Sequence, residues 1–230
     1  MTVRLRPNDE RRFIKSSIPP GWSGETAVLI ACGPSVTKAQ IQTIKNAFYA
    51  GNCRVMVVNR AYEIAPFADA MYAADTAFWT AHIENVRDTH IPLLFCAERH
   101  PCEKWGLWWT PGPEGEANGS AAAGHMAIGI SEDPAYIHFG LHSGFQALNV
   151  AFHLGAKRIV LVGYDAHHNG GKHFHEDHPE PMQNAAAPHM WLTPYTQAAP
   201  QLIAKGVEVI NCSPGSAIRN FPFATIGAVL

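Results

Sequence analysis

Charge is scarce in this sequence: Lys and Arg number 17 and Asp and Glu 19 among 230 residues, for a net charge of -2. Without a basic excess, extensive nucleic-acid binding is not expected, and only a local basic groove stays open. Long apolar runs are missing too, and none approaches the roughly 18 residues of a membrane span. The stretch Met1-Thr2-Val3-Arg4-Leu5-Arg6 runs into Asp9-Glu10-Arg11-Arg12 with no apolar segment between, so no secretory signal is expected. Cysteines are few. Cys32, Cys53, Cys96, Cys102 and Cys212 are odd in number and lack CxxC spacing, which argues for a reducing compartment over a disulfide framework. These absences lead to the expectation of a cytoplasmic protein.

Apolar types make up 47% of the residues against 16% charged, enough to bury a sizeable core and to exclude wholesale disorder. The length fits one elaborated domain. Residues 1–25 end in the breaker cluster Pro19-Pro20-Gly21 and read as an N-terminal arm, with a single Rossmann-like domain over 26–230. Short continuous apolar runs, Ala27–Ala31, Arg54–Val58, Ala70–Ala74, Ile91–Cys96 and Arg158–Gly163, alternate with segments of helical period. That alternation predicts an α/β fold with a mostly parallel sheet, its strands buried on both faces, and flanking helices. A further helix is expected over 193–205 and a strand over 207–211. The stretch from about 97 to 139, rich in Gly, Pro and Trp, reads as an irregular insertion. The His-rich stretch from about 166 to 188 is too long for an ordinary connection and reads as a lid. Five of the thirteen histidines lie between His167 and His178.

Polar residues stand just past the apolar runs, where open α/β sheets bind ligands. Cys32-Gly33-Pro34-Ser35 joins a strand to a helix, with glycine allowing close backbone approach and Ser35 expected as the helix cap. The arrangement suits a phosphate at the helix N-terminus or a plain turn. His142-Ser143-Gly144 repeats it. Asn59 can both donate and accept, which suits a base or ribose hydroxyl, or it holds a turn. Asp75 suits orienting a sugar or capping the helix that follows it, and capping is the first expectation. Cys32 reads as a small apolar residue at a strand end before it reads as a nucleophile. Trp105, Trp108 and Trp109 read as the insertion's own small core, with a stacking surface as the alternative. The His-rich loop admits a metal site, a phosphate contact or a hydrated surface, and no spacing in it matches a closed metal-ligand set. His189, just before Trp191-Leu192, is either a general base or a packed core residue.

On Gly33-Pro34-Ser35, Asn59, Ser143-Gly144, Gly163-Tyr164-Asp165 with Asn169-Gly170, His189, Ser213-Pro214, Ser216 and Asn220-Phe221, in that order, the chain resembles the bacterial sialyltransferases of glycosyltransferase family 42. More loosely it is similar to the motility accessory factors and the hydroxymethylpterin diphosphokinase-like proteins, and phage or prophage members of this group look alike. The resemblance implies a nucleotide-activated sugar donor, a cytidine monophosphate sugar in the family, held by Gly33, Pro34, Ser35, Asn59, Ser143 and Gly144, with Asp165 beside them. It implies that His189 is the general base and that His167 and His173, standing where the family has tyrosines, neutralise the leaving phosphate. Cys32 departs from the family, which has asparagine there.

The expected activity is an inverting glycosyltransferase acting on an unknown hydroxyl acceptor, with no metal or other cofactor required. Two alternatives accompany it: a metal-dependent pyrophosphokinase of the hydroxymethylpterin type, and a non-catalytic nucleotide-binding phage accessory protein. A homo-oligomer is compatible with all three.

Overall fold

The computed structural model describes residues 15, 18, 20–113, 129–169, 171–177 and 188–230. Gly170, His178, most of the expected N-terminal arm and the central parts of the expected insertion and lid lie outside the described residues. Seven strands form one parallel sheet: β1 (Thr26–Ile30), β2 (Arg54–Val58), β3 (Ala70–Tyr72), β4 (Leu93–Cys96), β5 (Trp108–Trp109), β6 (Arg158–Val162) and β7 (Glu208–Asn211). Their order is β5-β4-β3-β2-β1-β6-β7, so the chain winds outward from β1 first in one direction and then in the other. This is a Rossmann-like α/β fold, and its topological switch point lies between β1 and β6.

The helices are α1 (Lys38–Tyr49), α2 (Thr76–Asp88), α3 (Arg99–Trp105), α4 (Ser143–His153), α5 (Leu192–Ala204) and α6 (Ile226–Val229). Strands buried on both faces need no alternation of polar and apolar residues, which explains the continuous apolar runs. Ala27, Leu29, Met56 and Val58 face one layer with α4 and α5, whereas Val28, Ile30, Val55 and Val57 face the other with α1, α2 and α3. Ile18 and Trp22, both buried, join the first layer, and the amides of Gly21 and Trp22 bond to Leu154 O. Gly155 follows α4 at φ +96°, a left-handed conformation suited to glycine at a helix end.

Part of the expected irregular insertion is regular. α3 tolerates Pro101 because the proline stands in its first turn, where no intrahelical partner for its nitrogen is missing, and Gly106 at φ +75° ends it. β5 then extends the sheet, with Phe95 and Cys96 registered against Trp108 and Trp109. The three tryptophans do not form a core of their own. Trp108 packs against one main layer and Trp105 and Trp109 against the other, while Lys15, Arg99 and Lys104 lie over their rings. Among the described residues no helix is long and apolar enough to cross a membrane.

Candidate functional site

Every loop singled out in the sequence leaves the same edge of the sheet, where the strands end. Four described non-glycine residues adopt positive φ, and three of them are here: Asn59 (+50°) after β2, Leu141 (+69°) before α4 and Ala166 (+54°) after β6. Left-handed backbone at an alanine or a leucine is unfavourable, and strain of this kind collects where surrounding structure holds a site in shape. The edge at the switch point is therefore the candidate site.

Gly33 is a glycine because two backbone loops meet there. A β-carbon on it would overlap Asp165 Oδ2 and Gly163 O, and its own amide donates to Gly163 O at 2.9 Å. Asp165, 4% exposed, fills the turn with its carboxylate. It accepts from the Ser35 amide at 3.2 Å and the Ser35 hydroxyl at 2.8 Å. Burial raises the Asp165 pKa, and the Ser35 bonds oppose that rise. Ser35 does not cap α1. Thr37 does, in a capping box with Gln40, because Pro34 and Ser35 complete the turn before the helix begins. Pro34 thus belongs to the turn. Cys32 matches the small apolar reading: its thiol donates to Val58 O at 3.3 Å, and burial pushes its pKa up to about 12.

The start of α4 has the opposite character. His142 occupies the N-cap, and its Nδ1 accepts from the Phe145 amide at 3.4 Å, which places the ring proton on Nε2. Burial lowers its pKa to about 3, so the ring is uncharged at neutral pH. Gly144 lets the Tyr164 ring approach, and the Tyr164 hydroxyl donates to Gly144 O at 3.1 Å. The Ser143 and Gly144 amides, at the positive end of the helix, bond to no described acceptor. The 3-10 turn Pro188–Trp191 folds over this start, with Trp191 5.1 Å from the His142 ring between centroids. His189, on that turn, is exposed, which places it outside the core.

Past β3 and β4 the structure pairs two carboxylates, Asp75 and Glu98, that lie 23 residues apart in the chain. Asp75 sits at the N-cap position of α2 but its side chain caps nothing; Glu98 Oε2 instead accepts from the Thr76 amide at 2.8 Å and from the Thr76 hydroxyl. Asp75 is exposed, yet neighbouring protein and the nearby Glu98 raise its pKa to about 6. A carboxyl group titrating there can take or give a proton near neutral pH.

The His-rich loop crosses the edge from β6 towards β2. The Phe174 amide donates to Cys32 O at 2.9 Å and its ring packs against the α1 layer. The two lid histidines expected at one phosphate have different neighbours. His167 Nε2 lies 3.1 Å from Gly215 O, whereas His173 stacks on His175 at 4.7 Å, beside Arg60. Among the described residues no group of three or more His, Cys, Asp or Glu side chains is placed to hold a metal ion.

Sequence reasoning missed Arg60, His82 and Glu98, whose significance lies in contacts distant along the chain. Only Thr37 carried a readable local signal, the Thr-x-x-Gln box.

No family model and no curated protein matches the chain. Among solved structures it is similar to a Maf glycosyltransferase from Magnetospirillum magneticum AMB-1, with a TM-score of 0.58 at 14% identity. The match covers 92% of this chain and 36% of that one, so the chain spans about a third of its neighbour's length. At that identity the likeness is one of fold.

Proposed function

We propose that the chain binds a nucleotide-activated sugar across the strand-end crevice and transfers the sugar to a hydroxyl acceptor with inversion, as a glycosyltransferase. The observation that carries this reading is the convergence of the strained loops after β2 and β6, the Gly33 turn after β1 and the open start of α4 on one edge. The fold shared with a Maf glycosyltransferase supports it. So does the motif order that resembles the sialyltransferases.

In this reading Asn59 meets the base or ribose, and Gly33 and Pro34 form the floor. Ser35 and Asp165 hold that floor rather than phosphate, since each already satisfies the other. The Ser143 and Gly144 amides take phosphate oxygens. The acceptor oxygen bonds to the anomeric carbon as the bond to the phosphate oxygen breaks. His189 takes the acceptor's proton, and the lid histidines His167 and His173 donate to the departing phosphate. A cytidine monophosphate sugar is the first donor to test. No step uses a resident metal or cofactor.

The Asp75–Glu98 pair favours a second reading, in which two carboxylates past adjacent strands serve a metal-dependent pyrophosphoryl transfer from ATP. A thermal-shift panel of CMP, UDP, GDP and ATP, each with and without magnesium, separates the two, because a ligand that binds only the folded state raises its melting temperature. Stabilisation by CMP without metal, followed by consumption of the CMP-sugar, is the expected result. A response confined to ATP with magnesium would replace the first reading with the second. Silence across the panel would overturn both.

A further inference from the structure

We infer that Arg60, His82 and His175 form a separate phosphate subsite, roofed by the His-rich loop and next to the nucleotide crevice. The inference rests on the nucleotide-sugar reading for the source of the phosphate, but not for the chemistry of the cluster.

Three elements contribute. Arg60 lies on the 3-10 turn Asn59–Glu63 directly after β2, His82 on α2, and His175 on the loop, stacked on His173. The turn adjoins the crevice, because the amides of Arg60 and Ala61 point at the Cys32 sulfur. Glu63 grips one side of the guanidinium, with Nε to Oε1 at 2.7 Å and Nη2 to Oε2 at 3.0 Å. That leaves Nη1, which lies 3.3 Å from His175 Nδ1. The same Nδ1 is 2.6 Å from Glu176 O. A carbonyl oxygen can only accept, so Nδ1 carries the proton and cannot accept from Arg60. Arg60 Nη1 therefore points at another donor.

The His82 Nδ1 lies 2.9 Å from the Tyr62 hydroxyl. Its other ring nitrogen, Nε2, is buried and has no hydrogen-bond partner among the described residues. A guanidinium edge that meets another donor, and beside it a buried imidazole nitrogen without a partner among the described residues, suit a tetrahedral group rich in acceptor oxygens better than a planar carboxylate. Buried polar atoms without partners are costly, and an oxyanion removes that cost.

The charged and titratable groups around the cluster are Arg60, Tyr62, Glu63, Cys32, Glu176 and Asp177, the last paired with Lys172 at 3.0 Å. Burial first, and Arg60 as well, lower the pKa of His82 and of His175. A bound phosphate reverses the Arg60 effect, so binding takes up protons and tightens as the pH falls from 8 to 6.

Calorimetry with inorganic pyrophosphate, inorganic phosphate and CMP tests the inference on the full chain. The expected result is a loss of pyrophosphate affinity of about tenfold or more in Arg60→Ala and in His82→Phe, which keeps the stack on Phe78. Binding enthalpy should depend on the buffer, reporting proton uptake. Arg158→Ala, at the opposite end of the sheet, should leave affinity unchanged. Should Arg60→Ala fail to fold, Arg60→Lys, which keeps the charge without the fork, takes its place and should lose affinity too. Unchanged affinity in both the Arg60 and His82 variants, or no pyrophosphate binding by the unmodified chain at millimolar concentration, overturns the subsite. Pyrophosphate binding that the variants weaken, in a protein that consumes no nucleotide sugar, keeps the subsite and removes the transferase. Sugar transfer by Arg60→Ala with unaltered donor affinity removes the subsite and keeps the transferase.

Discussion

Asp165 and Asp75 occupy matching places, each three residues past the end of a parallel strand, and the structure gives them opposite lives. Asp165 is buried, and both its oxygens accept from Ser35. Asp75 is exposed, has no hydrogen bond to its carboxylate among the described residues, and lies close enough to Glu98 to feel its charge. The sequence reading put Asp165 among the binding residues and Asp75 at a helix cap. Asp75 stands at the cap position without capping, and a carboxyl group left unsatisfied at about pKa 6 is available for chemistry, whereas the Asp165 carboxylate is engaged by Ser35. The two glycine-containing helix starts differ in the same sense, since the Gly33 turn is filled by Asp165 and the α4 start is open.

Disrupting the filled side should have the largest effect. Gly33→Ala drives a methyl group into Asp165 and the Gly163 carbonyl, with backbone on one side and a buried side chain on the other. A loss of about 3 kcal/mol or more is expected by urea denaturation, and a stability within 1 kcal/mol of the unmodified chain would show that the two loops can separate. On the open side, His189→Ala should lower turnover on the order of a hundredfold while donor affinity stays within a few fold, because general-base catalysis typically contributes 10² to 10⁴. Nucleotide release and calorimetry measure the two quantities, and full activity would remove His189 from the reaction. Asp165→Ala should cost about 2 kcal/mol through the unpaired Ser35 donors. Tighter phosphate binding in that variant would mean that the Gly33 turn is a phosphate site after all, with Asp165 as its occupant.

The layers were legible in the sequence because strands buried on both faces leave unbroken apolar runs, and the helix start at Ser143 and stop at Gly155 are local signals. β5 was not legible: two residues of strand carry no period, and Pro101 read as a breaker when its place in the first turn of α3 made it harmless. Ser35 was mistaken for a cap because the turn at Pro34 runs two residues longer than the shortest connection, although Thr37 and Gln40 signalled the true start. The pairing of Asp75 with Glu98, and of Arg60 with His175, is set by which strands lie side by side and where the loop crosses them. Neither follows from local spacing.

The smallest effect sharpens the contrast between the two aspartates most directly. Asp75 titrates near 6 in the folded chain against 3.8 for an ordinary carboxyl group, so between those values the folded state binds more protons than the unfolded state. Stability contributed by this group therefore falls as the pH rises from about 4 to about 6, and above that the charged carboxylate is a standing cost. Asp75→Asn removes the charge and keeps the shape. Because the side chain is exposed, solvent screening reduces the gain to about 1 kcal/mol at pH 7.5, with none at pH 4. Urea denaturation of both proteins at the two pH values gives the comparison. If the carboxyl group also takes part in the reaction, the more stable variant should be the less active one, the exchange of stability for function expected of a destabilised active-site group. Equal stability at both pH values would mean that Asp75 is as well solvated as a surface carboxylate, and the functional contrast with Asp165 would then fall.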